Sequence, residues 1–158
     1  MRIATLAMIL AALLAASCSK PLAVAHMDNT QYFTRSYAAV PNDTYYGVRW
    51  ALKETGHSVA EEDLPAGIIK TAWVPVSSNS HYVEIFNRRD YGVTNSYYHL
   101  DIRLTDESGR TRVKIASHAK TMVNNLRSAG VVEYAILNHI GDYLRKSSPN
   151  LTNLGISE

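Results

Sequence analysis

The chain has 158 residues, with 16 basic side chains against 14 acidic ones and a single cysteine. A formal charge of only +2 excludes the basic field that a nucleic-acid surface requires, and one cysteine excludes a fold stapled by disulfides. With 46% hydrophobic residues, the length suits one ordinary domain that buries its own core.

The first segment is an export signal. Met1-Arg2 supplies a positive start, Ile3 to Ala16 is apolar apart from Thr5, and small residues follow. The run is shorter than the roughly 20 apolar residues of a membrane span. Ala15-Ala16-Ser17 would serve as an ordinary cleavage site, and a soluble exported chain with an incidental cysteine is the plainer alternative. Yet Leu14-Ala15-Ala16-Ser17-Cys18 resembles the lipobox of bacterial lipoproteins, with Ala15 where leucine is more usual. That resemblance implies cleavage before Cys18, acylation of its thiol and acylation of the new amino terminus. Each buried CH₂ contributes ~0.8 kcal/mol, so several acyl chains make a stable anchor where one would not. Ser19 stands where an aspartate would retain such lipoproteins in the inner membrane, which implies delivery to the outer membrane with the domain facing the periplasm. Residues 1–17 are therefore expected to be the signal and 18–30 a tether. Residues 31–147 form the domain, and 148–158 a polar tail.

Within the domain, Gln31 to Val40 reads as an edge strand closed by Pro41. Asn42-Asp43 caps a helix running to about Thr55, with Tyr45, Val48, Ala51, Leu52 and Thr55 along one side and Gly56 ending it in a left-handed conformation. His57 to Asp63 is a short strand. Leu64-Pro65-Ala66-Gly67 is a type I turn, and Ile68 to Val76 is the next strand, with Pro75 marking an edge or an exit. His81 to Arg88 is a strand, and Arg89 to Gly92 lies in the turn after it. In the strand Asn95 to Thr105, Tyr98, Leu100, Ile102 and Leu104 point one way while Tyr97, His99, Asp101 and Arg103 point the other. Asp106 to Gly109 turns into Thr111 to Lys120, with Val113 and Ile115 on the covered side. After a polar loop, Ser128 caps a second helix to about Lys146, striped by Val132, Ala135, Ile136, His139, Ile140, Tyr143 and Leu144. Glu133 early and Arg145-Lys146 late suit the helix dipole.

Two one-sided helices and a one-sided antiparallel sheet predict an α+β two-layer fold: five or six strands with both helices on one face, in a helix-grip-like arrangement. The segment Tyr32 to Trp73 resembles the repeated domains of BamC-type lipoproteins of the outer-membrane β-barrel assembly complex. The shared pattern is an entering strand, an amphipathic helix ending in glycine, an acidic strand and a Gly-Ile-Ile-Lys-Thr-x-Trp strand. The resemblance implies the same two-helix, one-sheet fold and a noncatalytic place in the cell envelope. Those proteins carry a long extended segment and two such domains, whereas this chain shows a short tether and one.

No catalytic signature is present. The chain has no H-E-x-x-H, no G-x-S-x-G elbow and no phosphate-cradling glycine loop. His99 and His118 face each other if the hairpin pairs Leu104 with Val113, and such a pair is either a metal site or an ordinary exposed surface. With no third ligand at a fitting spacing, no metal and no cofactor is assigned. His139 reads as a core histidine, and Glu61 to Asp63 as a solvated edge. Ten tyrosines against two phenylalanines suit half-wet sheet faces and interfaces. The candidate interaction face is therefore Trp73, Tyr82, Tyr91, Tyr97, His99, Asp101, Arg103 and His118. The expected function is that of an accessory or assembly subunit of an envelope protein complex, lipid-anchored at the periplasmic face of the outer membrane. The alternative is a carrier of a lipid or small ligand held between sheet and helices, with a metal-dependent enzyme behind both.

Overall fold

The structure, a computed structural model, describes residues 31–93, 95–122 and 125–147. The expectations for the signal, for Cys18 and its tether, and for the polar tail lie outside those residues. The elements in chain order are β1 (Tyr32–Tyr37), α1 (Pro41–Glu54), β2 (Val59–Asp63), β3 (Ile68–Thr71), β4 (Val74–Pro75) and β5 (His81–Ile85). They continue with β6 (Arg88–Asp90), β7 (Tyr97–Asp106), β8 (Thr111–Lys120), β9 (Leu126–Ser128) and α2 (Val131–Ser147).

The main sheet has six antiparallel strands in the order β1-β8-β7-β3-β2, with β4 paired to β7 beyond the end of β3. Both helices lie on one face. From below, Phe33, Ile69, Leu100, Ile102, Val113 and Ile115 meet Val48, Ala51 and Leu52 of α1 and Ile136, Leu137 and Ile140 of α2. The period-2 pattern of β7 and β8 puts every second side chain into this layer. The helices touch closely at Gly47, where a Cβ would stand 3.2 Å from Tyr143 Cδ1. This is the expected α+β two-layer architecture.

Several boundaries differ from the sequence expectation. α1 starts at Pro41, not at an Asn42-Asp43 cap: Val40 is the N-cap, no side chain caps it, and the fixed φ of proline begins the helix instead. Its other end is as expected. Gly56 has φ +75°, and the His57 and Gly56 amides donate to the Leu52 and Lys53 carbonyls, a Schellman closure. The expected strand Ile68 to Val76 is interrupted at Ala72-Trp73, where the Ala72 amide donates to Ser58 O and β4 then pairs with Tyr97 and Tyr98. The expected strand His81 to Arg88 is instead a hairpin, β5-β6, turning at Phe86-Asn87.

That hairpin joins β9, which falls where a polar loop was expected, to form a second sheet of three strands, β6-β5-β9. Ser128 therefore ends a strand. Its Oγ accepts the Gly130 amide and donates to Glu133 Oε1. Glu133 itself, in the first turn of α2, is fully buried.

Candidate interaction face

With both helices on one side, no described helix covers the other face of the main sheet. The hairpin at Ser108-Gly109 sets its register: Leu104 stands opposite Val113, and His99 opposite His118. One row across the sheet runs Glu61, Lys70, Asp101, Ala116 and Tyr32. Lys70 Nζ is 2.7 Å from Glu61 Oε2, and Arg103 Nη2 is 3.3 Å from Asp101 Oδ2. Charge therefore alternates along the row. Lys70 holds the Glu61 carboxyl below its ordinary range, first by their hydrogen bond and then by charge.

The neighbouring row is aromatic. The Trp73 indole meets the His99 ring edge-on at 4.5 Å, and His99 stacks on His118 at 5.2 Å with 17° between planes. Burial, with the charge of His118 second, lowers the His99 pKa, so the His99 imidazole resists protonation. Trp73 and Tyr97 are each 50% exposed. Asp101 is only 8% exposed, and its Oδ1 has no hydrogen-bond partner. Asp101 thus carries one buried acceptor without a partner, while its other oxygen pairs with Arg103.

Six of the eight residues expected on this face are gathered there: Trp73, Tyr97, His99, Asp101, Arg103 and His118. Tyr82 and Tyr91 are placed elsewhere. Tyr82 lies on β5 of the small sheet and is buried, with Tyr91 at 5.8 Å and the Arg89 guanidinium 4.6 Å over its ring. β5 pairs with β6 and β9 and not with any strand of the main sheet. Glu61 to Asp63 alternate as a strand must: Glu61 faces Lys70, whereas Glu62 accepts from Tyr45 Oη at 2.7 Å and from Arg49, tying β2 to α1.

A buried polar network was not legible in the sequence. Ser80 Oγ donates to the Ser77 carbonyl, so it accepts from His81 Nδ1, which leaves His81 Nε2 to accept from Ser117 Oγ at 2.8 Å. By the same logic Thr55 Oγ1 donates to the Ala51 carbonyl and accepts from His57 Nδ1, while His57 Nε2 accepts from Tyr98 Oη at 3.0 Å. Both imidazoles are thereby held neutral. Burial pushes His81 down to about 4 and the Tyr98 phenol up to about 12, the latter with help from Glu133.

A hydroxyl donating into an imidazole has the outline of a nucleophile and its base. A base near 4 is too weak to draw a proton from serine at neutral pH, and both nitrogens are engaged by hydroxyls, so the network's chemistry is to satisfy buried polar atoms. The only sequence hint was serine beside histidine at Ser80-His81. Among the described residues no group of three or more His, Cys, Asp or Glu is gathered as a metal would require. His139 is half-buried against Trp50, with ring centroids at 5.8 Å.

Glu133 gives a prediction of its own. Its Oε2 is buried without a partner, and burial raises its pKa, with the Ser128 hydrogen bond opposing. A carboxyl raised in the folded state stabilises most below its unfolded pKa and loses that contribution as pH rises through the folded one. Glu133→Gln keeps an acceptor for Ser128 and removes the charge. Its stability relative to the parent chain is expected to improve steadily with rising pH, as read by urea unfolding; a constant difference between the two would refute this.

No protein-family model matches the chain, and no curated protein sequence does. Solved structures with a similar course include TTHA0849 from Thermus thermophilus, at 14% identity and TM-score 0.42, covering 75% of this chain and 99% of that one. They also include Ara h 8.0201, at 11% and 0.37, covering 74% and 99%. A third is a DUF4468 family protein from Bacteroides ovatus ATCC 8483, at 13% and 0.32, covering 78% and 85%.

Proposed function

We propose that this chain is a noncatalytic accessory subunit of an envelope protein complex, lipid-anchored through Cys18 at the periplasmic face of the outer membrane, and that the face of the main sheet opposite the helices binds its protein partner. The observation that carries this reading is the juxtaposition of Trp73, His99, His118 and Tyr97 with the Asp101-Arg103 and Glu61-Lys70 pairs on the face that neither described helix covers. Aromatic and arginine residues around a desolvated polar centre are what protein interfaces concentrate. The lipobox-like Leu14 to Cys18 supports attachment, and the BamC-like pattern of Tyr32 to Trp73 supports membership of an envelope machine, of which barrel assembly is the particular candidate. A carrier role has less behind it. The space between helices and sheet is filled by fully buried side chains, and the open groove beside α1 is lined by Arg49, Lys53, His57 and Ser58 as well as Trp50.

The test is affinity purification of the full chain from its own membranes in mild detergent, with mass spectrometry of what accompanies it. A partner in stable proportion is expected, and Tyr97→Asp with His99→Asp should reduce its recovery at least tenfold, since loss of a central anchor costs about 2 kcal/mol or more. A chain recovered alone, or a partner retained by the double variant, overturns the proposal.

A further inference from the structure

The β5-β6 hairpin turns through Phe86 at φ +49° and Asn87 at φ +60°. Two positive φ values make a type I′ turn, for which Asn-Gly is the unstrained choice. Asn87 is at home there. Phe86 is not, because a bulky side chain at positive φ is a genuine outlier. The same residue is 97% exposed, so its ring packs on nothing in the described domain. Phe86 is therefore costly both to the backbone and to hydration, and such outliers cluster where a segment meets something else. Ile85 beside it is also exposed. Directly below, Arg88 pairs with Ile85 in the ladder, and both Arg88 and Arg89 are exposed. Among the described residues Arg88 makes no ion pair.

The position of this tip matters as much as its chemistry. His81, where β5 begins, lies against Ser117. β5 runs antiparallel to β9, which itself returns from the end of β8, so the hairpin projects past Lys120. Met122, 81% exposed, follows that end of β8. The chain enters the domain at the same end, since Tyr32 pairs with Ala116 and residue 31 lies beyond it toward Lys120. The stretch from Cys18 to Thr30 reaches at most roughly 45 Å when extended, and it leads back to the proposed lipid anchor at Cys18.

We infer that the Phe86 hairpin is a second membrane contact: the phenyl ring enters the boundary of a phospholipid surface while Arg88 stays at its anionic phosphates, fixing the orientation of the anchored domain. An apolar tip with arginine directly beneath it, here Arg88 ahead of the mixed charges Glu84, Arg89 and Asp90, is the arrangement by which interfacial segments sit in a bilayer surface. The inference rests on the attachment proposed above, whose failure is read separately.

In the full lipidated chain an acylated Cys18 has no free thiol, so Phe86→Cys supplies the only site for an environment-sensitive fluorophore. Leu64→Cys, in the turn at the opposite end of the sheet, is the control. In vesicles of phosphatidylethanolamine with phosphatidylglycerol, the label at 86 is expected to shift blue, to brighten several-fold and to be quenched by brominated acyl chains, unlike the label at 64. Equal spectra at the two sites overturn the inference. So does a shift seen in native membranes that disappears in protein-free vesicles, which would assign the tip to a protein. A reactive Cys18 in the parent chain would overturn the anchor instead; the hairpin would then be read by the same shift in a Cys18→Ser, Phe86→Cys chain with vesicles added.

Discussion

Acidification from pH 6.5 to about 4 will remove ~3 kcal/mol of the domain's stability through His81 alone. The side chain is 2% exposed, and its neutral form is held by Ser80 and Ser117, so folding disfavours its protonation. A base with a depressed folded pKa is protonated first in the unfolded chain. Its contribution is therefore complete above 6.5 and lost as pH falls toward 4. His57, lowered by burial and held between Thr55 and Tyr98, acts in the same direction. Glu133, raised by burial, acts in the opposite one.

The measurement that isolates His81 is urea unfolding of the parent chain and of His81→Gln across this window, followed by far-ultraviolet circular dichroism. The glutamine amide leaves an acceptor within reach of Ser117 but cannot be protonated. At neutral pH the variant should be less stable, through lost packing against Tyr98, whose ring centroid lies 4.7 Å from that of His81. Toward pH 4 the gap should close. Parallel stability curves would show that His81 does not carry the acid response.

Gly67→Ala is expected to cost about 2–4 kcal/mol, from a left-handed backbone that alanine adopts at about 1–2 kcal/mol and from a clash added to it. Gly67 has φ +66°, closes the Leu64 turn with a hydrogen bond to Leu64 O, and accepts the Leu104 amide at 2.8 Å. A Cβ there would stand 2.5 Å from the Leu104 carbonyl oxygen, a backbone atom of a central strand that has no room to move aside. Gly56 is the internal comparison. It has φ +75° but nothing within 4 Å of an added Cβ, so Gly56→Ala carries the conformational cost alone. Chemical denaturation of both variants should rank Gly67→Ala well above Gly56→Ala. Equal losses would mean that β3 and β7 separate without penalty at this turn.

The elements most legible in the sequence were those whose period matched their burial. The apolar residues of β7 and β8 recur at every second position, although Asp101 and Ala116 of the other face are buried too, so their pairing and the juxtaposition of His99 with His118 followed from a short turn of defined geometry. α1 was legible from its apolar stripe and Gly56. The second helix was located but misread in detail. Leu137 is fully buried although the stripe omitted it, and Glu133, in the first turn as its charge suits, is fully buried as well. The small sheet escaped because its pieces are three to five residues long and β9 has a polar composition. Nothing local separates such segments from loop.

Among the candidate surface residues, strand alternation alone grouped Tyr97, His99, Asp101, Arg103 and His118, because a side chain's face follows from its parity once the register is set. Placing Trp73 against His99 depended on the break after β3. Excluding Tyr82 and Tyr91 depended on the pairing of β5 with β9 and β6 in a separate sheet, which no local pattern announces. The sequence by itself determined the two layers and the register of the central hairpin, because periodicity and local turn chemistry are written in neighbouring residues. Only the tertiary structure decided which histidines are buried and neutral, that Asp101 and Glu133 each keep an unpartnered buried oxygen, and that Phe86 stands alone at the tip of a second sheet. Burial and hydrogen-bond satisfaction depend on residues distant in the chain, such as Ser117 beside His81 and Tyr98 beside His57, and no local pattern encodes those meetings.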